Sequence, residues 1–408
     1  MGKVKEVINK SMIDGLKIYK EEMRQELENI LAYWMQHTID ERHGGFYGKI
    51  DHNNTVHSDS PKGSVMNSRI LWAFSAVYRY SQKEEYLLIA DRAYHYIIDF
   101  FLDKEYGGLY WTVDYTGKPL DKKKQIYALS FAIYGLSEYY QCRQYEETKD
   151  YAVELYNSIV RFSYDTLNGG YLEAFTQDWQ EIQDLRLSAK DANEKKSMNT
   201  HLHVLEAFTN LFRIWPDEKL KIRIAELIQI FLTIIIDPVT NHLILFFDED
   251  WRPKSEVVSY GHDIEAAWLV QEASEVIDDK LLLDKVKTYL MKTAFAALRG
   301  LDKDGGLWYE KHISANHLIK EKHWWPQAEA MIGFFNAWQN TNDRNFLEHS
   351  YNSWKFIRDY MLDKNGGEWY WGVKEDYSIM IHEDKVGLWK SCYHNTRACL
   401  EIIRRIEL

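Results

Sequence analysis

Five segments of the chain place proton-carrying or charged side chains on otherwise apolar helical stretches. In "MNTHLHVLEAF", Asn199, His203 and Glu206 recur at intervals of four and three, so they share one helical face while His201 points away. In "GHDIEAAW", His262 and Glu265 stand three apart, with Trp268 a further three along. "WWPQAEAM" sets Trp325 four residues before Glu329, and "LWKSCYHNTRACLEIIRR" brings Trp389 and His394 to a helix start. Arg69 in "MNSRILWAF" adds a cation to an apolar face. A lone histidine in such a setting is ordinarily a hydrogen-bonded core residue. Here three separate segments each contribute His, Glu or Trp to one face, and burying unpaired polar groups without a purpose is costly.

Two chemistries suit this set. A glycoside hydrolase flanks the scissile bond with two carboxylates, one kept protonated, and Glu265 and Glu329 are its candidates. A sugar epimerase or isomerase moves a proton on and off carbon beside a carbonyl; imidazole, with an ordinary pKa near ~6.5, serves in both directions. The richness in histidine favours the second. A non-catalytic sugar-binding protein is the third reading, and it would leave inward-facing histidines at ordinary pKa values. Metal binding fits poorly: "HLH" on a helix splays its rings apart, and "HDIEAAW" lacks a second histidine at i+4. With no P-loop, no nucleophile elbow and glycine pairs rather than GxGxxG, no cofactor is expected.

The bulk numbers narrow the partner. A formal net charge of -12, spread without single-sign blocks, argues against nucleic acid or an anionic membrane and for a neutral small molecule. Aromatics make up 15% of residues, weighted to Trp and Tyr, whose rings carry a polar edge suited to sugars as well as to cores. Cys142, Cys392 and Cys399 are too few and scattered for a disulfide framework. The start "MGKVKEVINK" lacks a signal-peptide core, and the longest apolar run, "IFLTIII", is far short of the roughly 20 residues that span a bilayer. A cytoplasmic protein is expected, and a monomer satisfies the reading.

What positions these residues is a repeat. "HGGFYG", "YGGLYW", "NGGYLE", "DGGLWYE" and "NGGEWYW" have their first glycines at 44, 107, 169, 305 and 366, so the gaps are 63, 62, 136 and 61. The long gap is two periods; its missing copy falls at "NHLILFFDEDW", which keeps the aromatic half and lacks the glycines. That turn is expected to lie away from the motif residues. Between glycine turns the apolar spacing is helical, with room for two helices per unit, and the glycines supply a positive-φ turn before a short extended segment. Six helical hairpins can close into a ring or stack as a solenoid. Only 6 prolines and no linker-like stretch favour one closed domain over residues 1–408. In a closed ring the inner helices meet at a cavity, and the non-periodic run Gln183 to Ser197 is placed to cover its mouth.

The five motif segments, in order and spread over nearly the whole chain, resemble the cellobiose 2-epimerases of the N-acylglucosamine 2-epimerase superfamily. The resemblance implies an all-α (α/α)6 barrel with short β-segments in the loops at one mouth. It also implies reversible C2 epimerisation of the reducing-end glucose of β-1,4-linked disaccharides, cellobiose to glucosyl-mannose and lactose to epilactose, without metal or nucleotide. Superfamily members also act on mannose or N-acylglucosamine, or as aldose–ketose isomerases. By motif, His262 and His394 become the acid/base pair, Glu265 holds and polarises His262, and Arg69, Asn199 and His203 bind the reacting sugar's oxygens. Trp325, Glu329 and Trp389 line the cavity, joined by Tyr127 of "IYALSFAIYGL".

Overall fold

The computed structural model describes residues 10–407, so the readings made on the first nine residues fall outside it. Twelve α-helices follow in chain order: α1 Lys10–His37, α2 Ser64–Ser81, α3 Glu84–Tyr96, α4 Ile126–Arg143, α5 Glu146–Phe162, α6 Met198–Ile214, α7 Glu218–Ile230, α8 Tyr260–Val276, α9 Lys280–Ala297, α10 Trp324–Thr341, α11 Arg344–Phe356 and α12 Tyr393–Glu407. The even-numbered helices form an inner ring, each packed on the next from α2 round to α12, and α12 returns to α2. The odd-numbered helices pack outside them. The sixth hairpin joins the two ends of the chain, α1 against α12, which locks the ring. This is the expected (α/α)6 barrel.

Helix composition decides which layer each helix joins. In α4 every residue from Ile126 to Tyr139 is buried, as a helix apolar on all sides requires. In α5 only Thr148, Ala152, Leu155, Tyr156 and Ile159 are buried, a single stripe, and the other face stays polar. Close approach between inner helices uses glycine: a Cβ on Gly333 of α10 would lie 2.6 Å from the Ile264 carbonyl oxygen of α8.

The glycine turns take the expected left-handed conformation, with φ of 77° and 60° at Gly44 and Gly45 and of 73° and 70° at Gly107 and Gly108. Beneath five of the six turns lies a buried lysine that the sequence reading did not single out. Lys62, Lys124, Lys196, Lys322 and Lys385 each donate to the aspartate that opens the turn, at distances of 2.5 to 2.8 Å. Those aspartates also accept backbone N–H groups of the turn, as Asp40 does from His43 at 2.9 Å. In the fourth unit Asn241 supplies the positive φ, 61°. There His242 Nδ1 meets Asp263 Oδ2 at 2.6 Å, and Leu243 N donates to Asp263 Oδ1 at 2.8 Å. The expectation that this turn lies away from the motif residues is therefore corrected: it grips the residue next to His262.

Short antiparallel strands link neighbouring units at the end of the barrel where the inner helices begin. Lys62–Gly63 pairs with Thr112–Val113, Lys124–Gln125 with Ala174–Phe175, and Val257–Ser259 with Glu310–His312. An isolated bridge between Ile50 and Val386 closes the circle. Every inner helix thus points its N-terminus at this mouth. Among the described residues no helix is long and apolar enough to cross a membrane.

Candidate active site

The mouth opens into a cavity of about 530 Å³. Nine of the ten residues singled out from the sequence line it: Arg69, Tyr127, Asn199, His203, His262, Glu265, Trp325, Trp389 and His394. They converge because all but Trp389 sit in the first two turns of inner helices, so one ring of N-termini presents them together. The aligned helix dipoles add positive potential at this end. The run Gln183 to Ser197 reaches the site as expected, and its Leu187 to Asp191 stretch forms part of the wall.

The tenth residue, Glu329, lies below the cavity rather than in its lining. It is fully buried, and its Oε1 is 2.7 Å from His394 Nδ1 while its Oε2 accepts from Trp268 Nε1 at 3.0 Å. It fixes His394 with Nε2 free. The sequence reading gives Glu265 the matching task for His262, and here the structure differs: His262 Nδ1 lies 2.8 Å from Ser259 Oγ, whereas Glu265 Oε1 accepts from Arg397 Nη2 at 2.8 Å. The three-residue spacing puts Glu265 on the right face, but Arg397, a stronger donor arriving from α12, claims it. His203 Nδ1 meets Glu206 Oε2 at 2.8 Å, realising the shared face read from "HLHVLE". His201 points away, held between the Ser197 carbonyl at 2.7 Å and Tyr171 N at 2.9 Å.

The Trp325 ring lies beside two of the imidazoles, with its centroid 4.6 Å from that of His262 and 6.0 Å from that of His394. Arg69 donates to the Trp389 carbonyl at 2.9 Å and the Tyr127 hydroxyl at 2.8 Å, and its guanidinium lies 4.2 Å from the Phe131 ring centroid. Asn199 Oδ1 and the indole N–H groups of Trp324 and Trp371, all on cavity-lining residues, are buried without a protein partner. Such groups are poised for a polar ligand, since leaving them unpaired is expensive.

Burial, helped by neighbouring His203 and His394, pushes the His262 imidazole down to about 3. Burial does the same for His394, down to about 3, although the Glu329 carboxylate pulls it upward. Burial would raise Glu329, but Arg397 and His394 outweigh it and hold the carboxyl down at about 2. Both imidazoles are therefore neutral near pH 7 and able to accept a proton.

Sequence reasoning missed Arg397, Tyr393, Ser259, His323 and Trp371. Arg397 stands three residues after His394, so its place on the same face was readable. His323 lines the cavity with its ring stacked on Tyr309 at 3.9 Å. Glu265, Glu329 and His394 have ligand atoms close enough to share an ion, but the Arg397 guanidinium already serves both carboxylates there, reaching Glu329 Oε1 at 2.6 Å.

Known proteins resemble this chain over nearly its whole length. The family model for N-acylglucosamine 2-epimerase (GlcNAc 2-epimerase) matches residues 45–398. A cellobiose 2-epimerase of Bacteroides fragilis is 48% identical over 388 residues, covering 95% of this chain and 99% of the relative. One from Dictyoglomus turgidum is 41% identical over 393 residues, covering 96% and 100%. The solved structure of cellobiose 2-epimerase from Bacillus thermoamylovorans superposes with a TM-score of 0.91 at 41% identity, over 95% of this chain and 100% of that one.

Proposed function

The chain belongs to the N-acylglucosamine 2-epimerase family, which makes it a carbohydrate epimerase, and we propose that it inverts C2 of the reducing-end glucose of cellobiose and related β-1,4-linked disaccharides, lactose among them. The observation that carries this reading is the pair of imidazoles, His262 and His394, both beside the Trp325 ring in a cavity large enough for a disaccharide.

The pyranose opens first, because only the open-chain aldehyde makes the C2 proton acidic; His394 assists by moving the O1 proton toward the ring oxygen. Because both imidazoles start neutral, epimerisation then needs one further proton, taken up from solvent with the sugar and shared by the pair. His394, beside the Glu329 carboxylate, is the better holder of positive charge, while His262, whose partner is the neutral Ser259 hydroxyl, is the better neutral base. The neutral imidazole takes the C2 proton. Negative charge spreads over C2, C1 and O1, where Arg69, His203 and the ring of helix N-termini stabilise it. Rotation about C2–C3 turns the other face to the charged imidazole, which gives up its proton. In the reverse direction the roles exchange. Tyr127 fixes Arg69, and Trp325 and Trp389 hold the sugar rings.

Proton NMR of the protein with cellobiose in D2O tests the proposal. Signals of reducing-end mannose with deuterium at C2, reduced roughly 10²- to 10⁴-fold by His262→Asn or His394→Asn, are expected. Deuterium at C1 of a ketose would mean isomerisation instead, and free glucose would mean hydrolysis.

A further inference from the structure

Three buried carboxylates meet one guanidinium below the cavity. Glu206 Oε1 accepts from Arg397 Nη1 and from the Tyr393 hydroxyl, and its Oε2 faces His203 Nδ1. Glu329 is met by Arg397 Nη2, His394 Nδ1 and Trp268 Nε1. Each of these carboxylates has three partners. Among the described residues Glu265 has one, Arg397 Nη2, on Oε1; its Oε2 makes no hydrogen bond to any of them, and the side chain lines the cavity while only 1% exposed.

Three negative charges against one Arg397 would leave an excess of charge in a region from which water is largely excluded, and proteins relieve such an excess by keeping a proton on the least supported acid. The other nearby cation, Arg69, donates to Tyr127 and the Trp389 carbonyl and to none of these three carboxylates. Glu206 and Glu329 hold their charges by their donors. Glu265 is the one left to keep a proton.

We infer that Glu265 is a neutral carboxylic acid whose Oε2–H donates a hydrogen bond into the cavity, to the substrate oxygen on which negative charge collects as the C2 proton leaves. Its burial and the charge of the neighbouring Glu329 act in the same direction, raising the carboxyl well above its ordinary range. No proton changes owner at Glu265; the C2 proton goes to an imidazole, and Glu265 only stabilises the oxyanion. An ionised Glu265 would repel that same charge, so the protonation state decides whether the residue helps or hinders. The inference rests on the epimerisation proposed above and gives Glu265 a task other than orienting His262.

Two measurements test it. The first is the infrared difference spectrum at pH 7 between the unsubstituted protein and Glu265→Gln, without substrate. Loss of a protonated-carboxyl C=O band is expected; loss of a carboxylate band instead overturns the inference. The second is C2 deuteration of cellobiose in D2O. Glu265→Gln, which offers a neutral N–H donor, should fall no more than about tenfold, whereas Glu265→Leu, with no donor, should fall about 10²- to 10³-fold. Equal loss in both, with the near-UV circular dichroism of the unsubstituted protein retained, also overturns it. If the unsubstituted protein fails to label C2, the epimerisation reading is what has failed, and the infrared result still decides the state of Glu265.

Discussion

His394 and Glu329 meet across 2.7 Å through Nδ1 and Oε1, although they stand 65 residues apart on different inner helices. His262 has no carboxylate partner of this kind and relies on the Ser259 hydroxyl. The two imidazoles of the proposed pair are thus built unequally, and substitution of their partners should show it. Glu329→Gln can present an amide N–H to Nδ1 and trap the wrong tautomer, so kcat is expected to fall about 10²- to 10⁴-fold with KM nearly unchanged. Ser259→Ala removes a neutral hydrogen bond worth about 1 kcal/mol and should cost kcat no more than about tenfold. Steady-state kinetics on cellobiose checks the order; equal losses would refute the asymmetry.

The fourth glycine-free turn anchors the start of α8 through His242 and Asp263. Asp263→Ala leaves His242 and Leu243 N without their acceptor, at a cost of about 1.5–3 kcal/mol. It also loosens the turn that carries His262, so the unfolding midpoint and kcat should fall together. A drop in midpoint with kcat intact would show that His262 is positioned by other contacts.

Buried lysines under the glycine turns should matter for folding and not for chemistry. Lys124 and Asp103 are both fully buried and 2.6 Å apart. Lys124→Met strands the Asp103 charge, and chemical denaturation should report a loss of about 3–5 kcal/mol. Below the unfolding transition the turnover rate should match that of the unsubstituted protein.

Glu173 carries a pH signature. It is fully buried, accepting from Ser197 N at 2.7 Å and Thr200 Oγ1 at 2.6 Å at the start of α6, and burial raises its carboxyl to about 8. A raised folded pKa means that the folded chain keeps a proton the unfolded chain releases. Its contribution is therefore complete below the unfolded value near ~4.3 and is lost as pH rises through about 8. Comparing melting midpoints with Glu173→Gln isolates this group. The difference should move in favour of the variant by about 2 °C or more between pH 5 and pH 9, and a constant difference would show that Glu173 is ionised throughout.

Much of this molecule is readable along the chain because its information is local. The recurrence of GG turns gives the number of units, the 3.6-residue spacing gives the helices, and the breadth of the apolar face separates α4 from α5. The same spacing places His203, His262, Trp325 and His394 on inward faces, since residues three or four apart share a side whatever surrounds the helix. Local spacing cannot say which helix brings the partner. Arg397 is separated from Glu206, Glu265 and Glu329 by 191, 132 and 68 residues, and only closure of the ring puts its guanidinium between them. Once there, it takes Glu265 from His262 and leaves Ser259 in its place. The helix period fixes which residues face inward; the competition among buried charges, settled in three dimensions, fixes whom each one meets.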